Sequence, residues 1–337
     1  MPADGVSQSL RWFCCPDCKS EFAQSGSVAA CTDCGRTVSI LAPNLFRFLP
    51  GEETIAQTIL SWPPEFVQRL KTWDRSHGSG EILTQELQDH LAHHGLIRSD
   101  GSLTSLGQNV RYHVSEFKAQ SGRKGLDGML ELGAVGSRVR VLDVGCGAAQ
   151  TLRLLEPDRP VDLVGVDVDL SSLALGCQFA GLEGLPVTLA MASSYALPFP
   201  ECSFDLVLTR VALNYMHQRR ALTEMVRVLR PGGYLFCGVE GIWHDLSYIV
   251  RSRSLRALVC RCRDFGYGVV HSLVGWQPMP GSTLRGGRTF ATAGRLGRIL
   301  NSLDCRVCRV AESPHGPKFV GRRTQLILIA QRAPRDG

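Results

Sequence analysis

One eleven-residue stretch restricts the fold of this chain more than any other. VLDVGCGAAQT, residues 141–151, sets an apolar strand, a glycine turn and a helix start in direct succession. Gly145 and Gly147 let the backbone turn sharply and approach a ligand with no Cβ in the way. The helix that follows directs its unpaired N–H groups at that ligand. Such a turn is common by itself. The discriminating feature is VDLVGVD, a second apolar strand that ends in Asp167 about twenty residues on, where a carboxylate is placed to accept hydrogen bonds from ribose hydroxyls. Asp169, just before SSLALG, reads instead as the cap of the next helix.

From residue 138 onward the strand candidates RVRVLDV, VDLVGVD, VTLAM, FDLVLTR and GGYLFCGV alternate with amphipathic helical stretches. They are apolar without clean alternation, as strands of a parallel sheet covered on both faces are. The expected fold class is therefore α/β, a doubly wound Rossmann-like sheet. Two further strands near the end, CRVCRVAE and TQLILIAQR, are close enough to pair antiparallel at the sheet edge. A chain of 337 residues has room for two or three domains. The texture divides it into a unit at 10–48, a helical unit at 52–132 and a sheet domain at 138–333 with an insertion at about 243–290.

The segments VLDVGCG, GVDVDLSSL, ALPFPECSFDLVLTRVALNYM and ALTEMVRVLRPGGYLF resemble successive motifs of class I S-adenosylmethionine-dependent (SAM-dependent) methyltransferases, in particular the UbiE-like, type 11 group. The resemblance covers residues 138–240 and implies S-adenosylmethionine as the cofactor. Carried over by position, it implies that Asp143, Gly145 and Gly147 face the methionine part and Asp167 the ribose. It likewise places Ser193 and Ser194 at the adenine with Leu197 nearby, and Arg210 at the edge of the reaction cleft. Two positions depart from the family pattern. Ala149 replaces the third glycine, and Ser193 replaces the acid that commonly meets the adenine amino group.

Five of the 13 cysteines fall within residues 14–34. In a reducing compartment such crowding indicates metal rather than disulfides. Cys15-Pro-Asp-Cys18 and Cys31-Thr-Asp-Cys34 stand twelve residues apart, so two tight turns bring four thiolates into a tetrahedron that suits structural Zn²⁺. A region this short has little core, and the metal would itself fold it. CCPDCKSEF…CTDCGRTVSI resembles the zinc ribbons that precede some ribosomal-RNA guanine methyltransferases, and the small Trm112-like proteins. Cys305, Cys308, Cys260 and Cys262 fall in strand and helix patterns and read as buried free thiols.

In the middle region, PPEFVQRLKTW opens with prolines suited to a first helical turn. ILTQELQDHLAHHGLI repeats apolar residues at Ile82, Leu83, Leu87, Leu91 and Leu96 and ends by Gly95. A DGS turn and a helix from near Ser105 complete a winged-helix rhythm. The helix before the DGS turn carries His90, His93 and His94 rather than Arg and Lys. That favours substrate covering or a homodimer contact over nucleic-acid reading, with the histidines on a solvated face. His113, Glu116 and Lys118 stand near the entry to the sheet domain.

Methyl transfer from a sulfonium needs the nucleophile held in line, and a base only if the acceptor arrives protonated. Arg210, Asn214 and His217 are the catalytic candidates near the fourth strand, joined by Tyr215 on the acceptor side. His217 is the plausible base among them. The insertion from Trp243 to Arg288 can cover a small-molecule pocket, which makes a small-molecule acceptor the leading expectation. The alternative is RNA, through the ribbon and Arg251, Arg253, Arg256, Arg261 and Arg263; a SAM-responsive regulator is the non-enzymatic reading. A net charge of +6 permits nucleic acid without requiring it. No run approaches the ~20 apolar residues of a membrane helix, and MPADGVSQSLRWF lacks a leader pattern. A cytoplasmic location is the expectation.

Overall fold

The computed structural model describes residues 9–71, 73, 85–121, 138–155, 160–277, 288–313 and 317–334. Four short strands come first: β1 (Phe22–Ser25), β2 (Val28–Cys31), β3 (Thr37–Ala42) and β4 (Leu45–Arg47). Helices α1 (Thr54–Leu60), α2 (Pro64–Leu70), α3 (Gln85–His93) and α4 (Ser105–Ser121) follow. Strands and helices then alternate: β5 (Val139–Val144), α5 (Gln150–Arg153), β6 (Val161–Asp167), α6 (Leu170–Leu182), β7 (Val187–Met191), β8 (Phe204–Arg210), α7 (Gln218–Val228) and β9 (Leu229–Glu240). A 3₁₀ turn, Ala212–Tyr215, separates β8 from α7. After β9 come α8 (Ile242–Val250), α9 (Leu255–Val274), α10 (Ala293–Asn301), β10 (Cys305–Glu312), β11 (Lys318–Phe319), β12 (Arg322–Arg323) and β13 (Gln325–Arg332).

β7, β6, β5, β8 and β9 lie side by side as a parallel sheet, with β13 and then β10 added antiparallel beyond β9. All five residues of β7 and the first six of β8 are buried, because helices cover both faces. The order reverses between β5 and β8, and in such sheets the crevice at the carboxyl ends of those strands is where ligands bind. The antiparallel pair foreseen at the end of the chain is present; β13 is the inner member and β10 the edge.

The cysteine-rich unit does not stand apart from this sheet. β4 pairs in parallel with β7, Leu45 opposite Leu189 and Arg47 opposite Met191, so β1–β4 extend the same sheet to eleven strands. Asn44 secures the junction: its side-chain amide donates to the Val187 carbonyl at 2.9 Å and its own carbonyl accepts from Leu189 N–H at 2.8 Å. Phe13 closes the seam, its ring 4.8 Å from Phe46, 5.0 Å from Phe48 and 5.3 Å from Phe199. Buried aromatic rings of this size dominate the energetics of a contact.

The middle helices lie on the opposite face. α1 and α2 pack on α6, where Gln178 donates to the carbonyls of Ile59 (2.7 Å) and Trp62 (3.2 Å). Leu91 and Leu96 are buried and Leu87 partly so, as the periodicity requires; Ile82 and Leu83 lie outside the described residues. The expected wing is a single bridge between Ile97 and Leu103, and the helix after it begins at Ser105. The histidines differ from expectation. His94 stacks on Phe66 with centroids 3.9 Å apart, and His90 meets the edge of the same ring, because α2 presents its aromatic residue to α3. Only His93 is left exposed. The four scattered cysteines also need correction: Cys305 is buried, but Cys308 and Cys262 are exposed and Cys260 half-buried. β10 is the edge of the sheet, and the outer side of α9 has no element over it among the described residues. No helix among them is long and apolar enough to cross a membrane.

Candidate functional site

The glycine turn after β5 is held on both sides. A Cβ built on Gly145 (φ +81°) would lie 2.2 Å from Ala212 Cβ, and one on Gly147 (φ +54°) 2.9 Å from His113 Cε1. Both positions therefore require glycine for space as well as for conformation. Ala149 also adopts a left-handed backbone, φ 56°, which costs a non-glycine residue about 1–2 kcal/mol. Asp167 braces the turn from β6. One carboxylate oxygen accepts from Gly147 N–H at 2.8 Å, the other from Val168 and Asp169 N–H at 2.7 and 3.0 Å. Burial raises its pKa and the three backbone donors pull it back.

Asp143 lies at the end of β5, 1% exposed, with one oxygen that has no hydrogen-bond partner among the described residues. Burial pushes its carboxyl up to about 8, against the pull of the Arg210 guanidinium. A buried carboxyl oxygen without a partner has capacity for one more donor, although Asp143 itself does not line the cleft. A carboxyl held protonated in the fold up to pH about 8, yet ionised in the unfolded chain above about 4, makes the ligand-free protein lose stability as pH rises between those values. Thermal unfolding between pH 5 and 8 should show this decline, and Asp143→Asn should reduce its slope, by at most about 1.4 kcal/mol per pH unit. Parallel profiles for the two proteins would refute the assignment.

α4 closes one side of the cleft. Gln150 donates to His113 Nδ1 at 2.5 Å and His113 Nε2 faces Ser172 Oγ at 2.7 Å, so the ring is a neutral tautomer, its pKa pushed down to about 4 by burial. Asp169 caps α6 through Ser171 N–H and also receives Asn109 from α4, as its position before SSLALG suggested.

The cavity bounded by these groups has a volume of about 840 Å³ and is lined by Gly145, Gly147, Asp167 and Arg210 among the residues expected from the sequence. Ser193 and Ser194 follow β7 beside Asp167, whose carbonyl accepts from Ala192 N–H at 3.0 Å, but neither lines the cavity. Leu197 is fully buried. Tyr215 lines the cavity; His217 and Asn214 do not. His217 caps α7, its Nδ1 accepting from Arg220 N–H at 3.4 Å. Asn214 is fully buried and joins backbones: its amide donates to the carbonyls of Glu240 (2.8 Å) and Thr289 (3.1 Å), and its oxygen accepts from Glu240 N–H.

What Asn214 pins is a group that sequence reasoning missed. Glu240, His244 and Asp245 form the far wall of the cavity with Arg288. His244 Nδ1 lies 3.2 Å from one Glu240 oxygen, Arg288 Nη2 donates to the other at 2.5 Å, and Arg288 Nη1 pairs with Asp245. The second Asp245 oxygen is buried and has no partner among the described residues. Burial and the Arg288 charge push His244 down to about 4, so it is neutral at pH 7. A neutral ring that carries its proton on Nδ1, toward Glu240, would leave Nε2 as an acceptor. Burial raises both carboxyls while Arg288 opposes it.

At the other end of the sheet, the sulfurs of Cys15, Cys18, Cys31 and Cys34 all lie within 4.8 Å of one another. Cys15 and Cys34 are 3.5 Å apart, Cys18 and Cys31 3.3 Å. Zn–S bonds of about 2.3 Å in a tetrahedron require S···S separations of about 3.8 Å, so the set fits zinc with no open position. Each knuckle closes alike: Lys19 N–H donates to Cys15 O and Gly35 N–H to Cys31 O, both donors left-handed. Asp17–Arg36 and Ser20–Asp33 tie one knuckle to the other.

The profile of a family described as "Methyltransferase domain" matches residues 142–237. A demethylmenaquinone methyltransferase of Thermus thermophilus is 36% identical over 98 residues, 28% of this chain and 44% of its own length. A 27-O-demethylrifamycin SV methyltransferase of Amycolatopsis mediterranei is 30% identical over 148 residues, 43% of this chain and 51% of its own. A solved SAM-dependent methyltransferase from Methanosarcina mazei overlays with a TM-score of 0.42 at 20% identity, covering 60% of this chain and 95% of that one. The chain spans about half the length, or less, of the two curated relatives named here. The glycine turn, its bracing acid and the profile coincide, and the chain therefore carries a class I SAM-dependent methyltransferase domain over residues 142–237.

Proposed function

We propose that this protein methylates a hydroxyl group of a small molecule, with His244 taking the hydroxyl proton. The observation that carries this reading is the continuity of the cavity, which runs from Gly145, Gly147 and Asp167 to Glu240, His244 and Asp245. Its volume is in the range of small-molecule sites. The unsatisfied Asp245 oxygen calls for a donor on the acceptor. The two curated relatives are both named for small-molecule acceptors.

S-adenosylmethionine supplies an activated methyl group on a sulfonium. In this reading the glycine turn and Asp143 receive its amino-acid end and Asp167 its ribose, with Ser193 and Ser194 the candidates on the adenine side. The acceptor hydroxyl gives its proton to His244 Nε2 as its oxygen bonds to the methyl carbon. Bound S-adenosylmethionine would supply the methyl group and keep the electron pair of the broken carbon–sulfur bond, and His244 would then release its proton to water. Glu240 orients the ring and Arg288 holds Glu240. Cys15, Cys18, Cys31 and Cys34, none of which lines the cavity, would hold a structural zinc.

Incubation with methyl-labelled SAM and fractionated cell extract tests the acceptor: label should enter small molecules, and label confined to RNA or protein would sink the proposal. Calorimetry tests the donor site. Asp167→Ala should weaken SAM binding about a hundredfold, since it removes charge-assisted hydrogen bonds; equal affinities would dismiss the ribose role.

A further inference from the structure

α9 is twenty residues long and only one side of it faces the protein. Gly268 and His271 are buried beneath it, and Arg261 and Asp264 turn into the cleft. On its outer side, at the corner with α8, Leu255 is 77% exposed, Val259 60% and Val250 71%. Arg251, Arg253 and Arg256 are exposed at the same corner. Apolar side chains of this size exposed together, rimmed by charge, mark an interaction site.

A second element repeats the pattern. β11 packs against α8, and its hairpin with β12 turns through Val320 and Gly321, both with positive φ (47° and 75°). Asn-Gly is the usual choice for such a turn, and a β-branched residue there is strained. Val320 is nonetheless 77% exposed, flanked by exposed Lys318 and Arg322. Pro317 and Gln325, on either side of this hairpin, line the cleft, as do Tyr248 of α8 and Arg261 of α9. Both apolar–basic tips thus border the same opening.

We infer that α9 and the β11–β12 hairpin dock this protein on an anionic lipid bilayer, with the cleft mouth against the membrane surface. Aliphatic tips among arginines suit the boundary between headgroups and acyl chains, where both kinds of side chain are stabilised. The carboxylates of α8 and α9 do not oppose this: Asp245 pairs with Arg288 and Asp264 with Arg263. Charge also selects among occupants. A second copy would bring one cationic patch against another, and RNA would leave Leu255, Val259 and Val320 without a partner.

Flotation of the full-length protein with phosphatidylcholine vesicles, with and without phosphatidylglycerol, reads this directly. The protein should float only with the anionic vesicles and lose binding as salt is raised. The double variant Leu255→Glu, Val259→Glu should weaken vesicle binding about tenfold or more, and Val320→Asp should weaken it independently, both with unchanged circular dichroism and SAM affinity. Absence of flotation, or equal flotation of wild type and both variants, would overturn the inference. So would a homodimer in analytical ultracentrifugation that the double variant dissolves, or competition by RNA in place of vesicle binding. None of these readouts depends on turnover, so the proposed methyl transfer stands or falls separately.

Discussion

Cys31→Ser is expected to destabilise the methyltransferase sheet itself, and not only the short unit that contains the cysteine. Four-thiolate zinc contributes binding energy that is folding energy, apparent values being about 10–16 kcal/mol in isolated fingers. With zinc bound as proposed, that energy would be coupled to the main sheet, because β4 pairs with β7 and Phe13 packs on Phe46, Phe48 and Phe199. Losing the metal would then free the ribbon, uncover β7 and open an aromatic cluster at once. Chemical denaturation followed by tryptophan fluorescence should show one transition in the wild type, shifted by several kcal/mol in Cys31→Ser or after chelation. SAM affinity of the part that remains folded should fall with it. An unchanged main transition, with only a small early phase lost, would show the ribbon to be an independent module. Metal analysis should give about one zinc ion per chain.

His244→Ala should lower kcat by about 10²–10⁴, the usual contribution of a positioned base, with SAM affinity unchanged. Glu240→Gln should lower it less, since it disturbs only the orientation of the ring. His217→Ala offers the contrast: that residue caps α7, so the variant should lose about 0.5–1 kcal/mol of stability and keep its turnover. The pH profile separates a base from a structural residue. With His244 pushed down to about 4, wild-type kcat should be flat from pH 6 to 8 and fall only on approach to pH 4. The charged groups around it, Glu240, Asp245, Asp264, Arg261 and Arg288, share the cleft wall, where Arg288 pairs with Glu240 and Asp245. Full activity in His244→Ala, or loss in His217→Ala, would return the role to the sequence candidate.

That contrast shows where sequence reading reached its limit. The turn at Gly145 and Gly147 and the acid Asp167 that follows the next strand were legible because strand, turn and acid follow one another within a single βαβ unit, and local chemistry dictates their spacing. The four zinc-type cysteines were legible for the same reason. His244 was not. Its partners Glu240 and Arg288 are separated by 48 positions, and the backbone bonds of Thr289 to Asn214 and of Ala291 to Glu240 bring them together. Asn214 shows the converse: it stands in the expected segment, yet the fold turns its amide toward two backbone carbonyls. The histidines of α3 were assigned to solvent because periodicity reports which residues share a face but not what packs on that face; Phe66 does.

The pairing of β4 with β7 also bears on how the chain is made. Leu45 lies opposite Leu189, 144 positions downstream (189 − 45). At about 5–20 residues per second, β4 waits some 7–29 s on the ribosome before its partner exists. Through that interval its outer edge is an open row of backbone donors and acceptors, the kind that recruits other nascent chains. A ribbon already closed by four cysteines around an ion meets this hazard as a folded object rather than a loose strand. Metal supply during synthesis would then govern how much protein reaches the native state, long before any methyl group is moved.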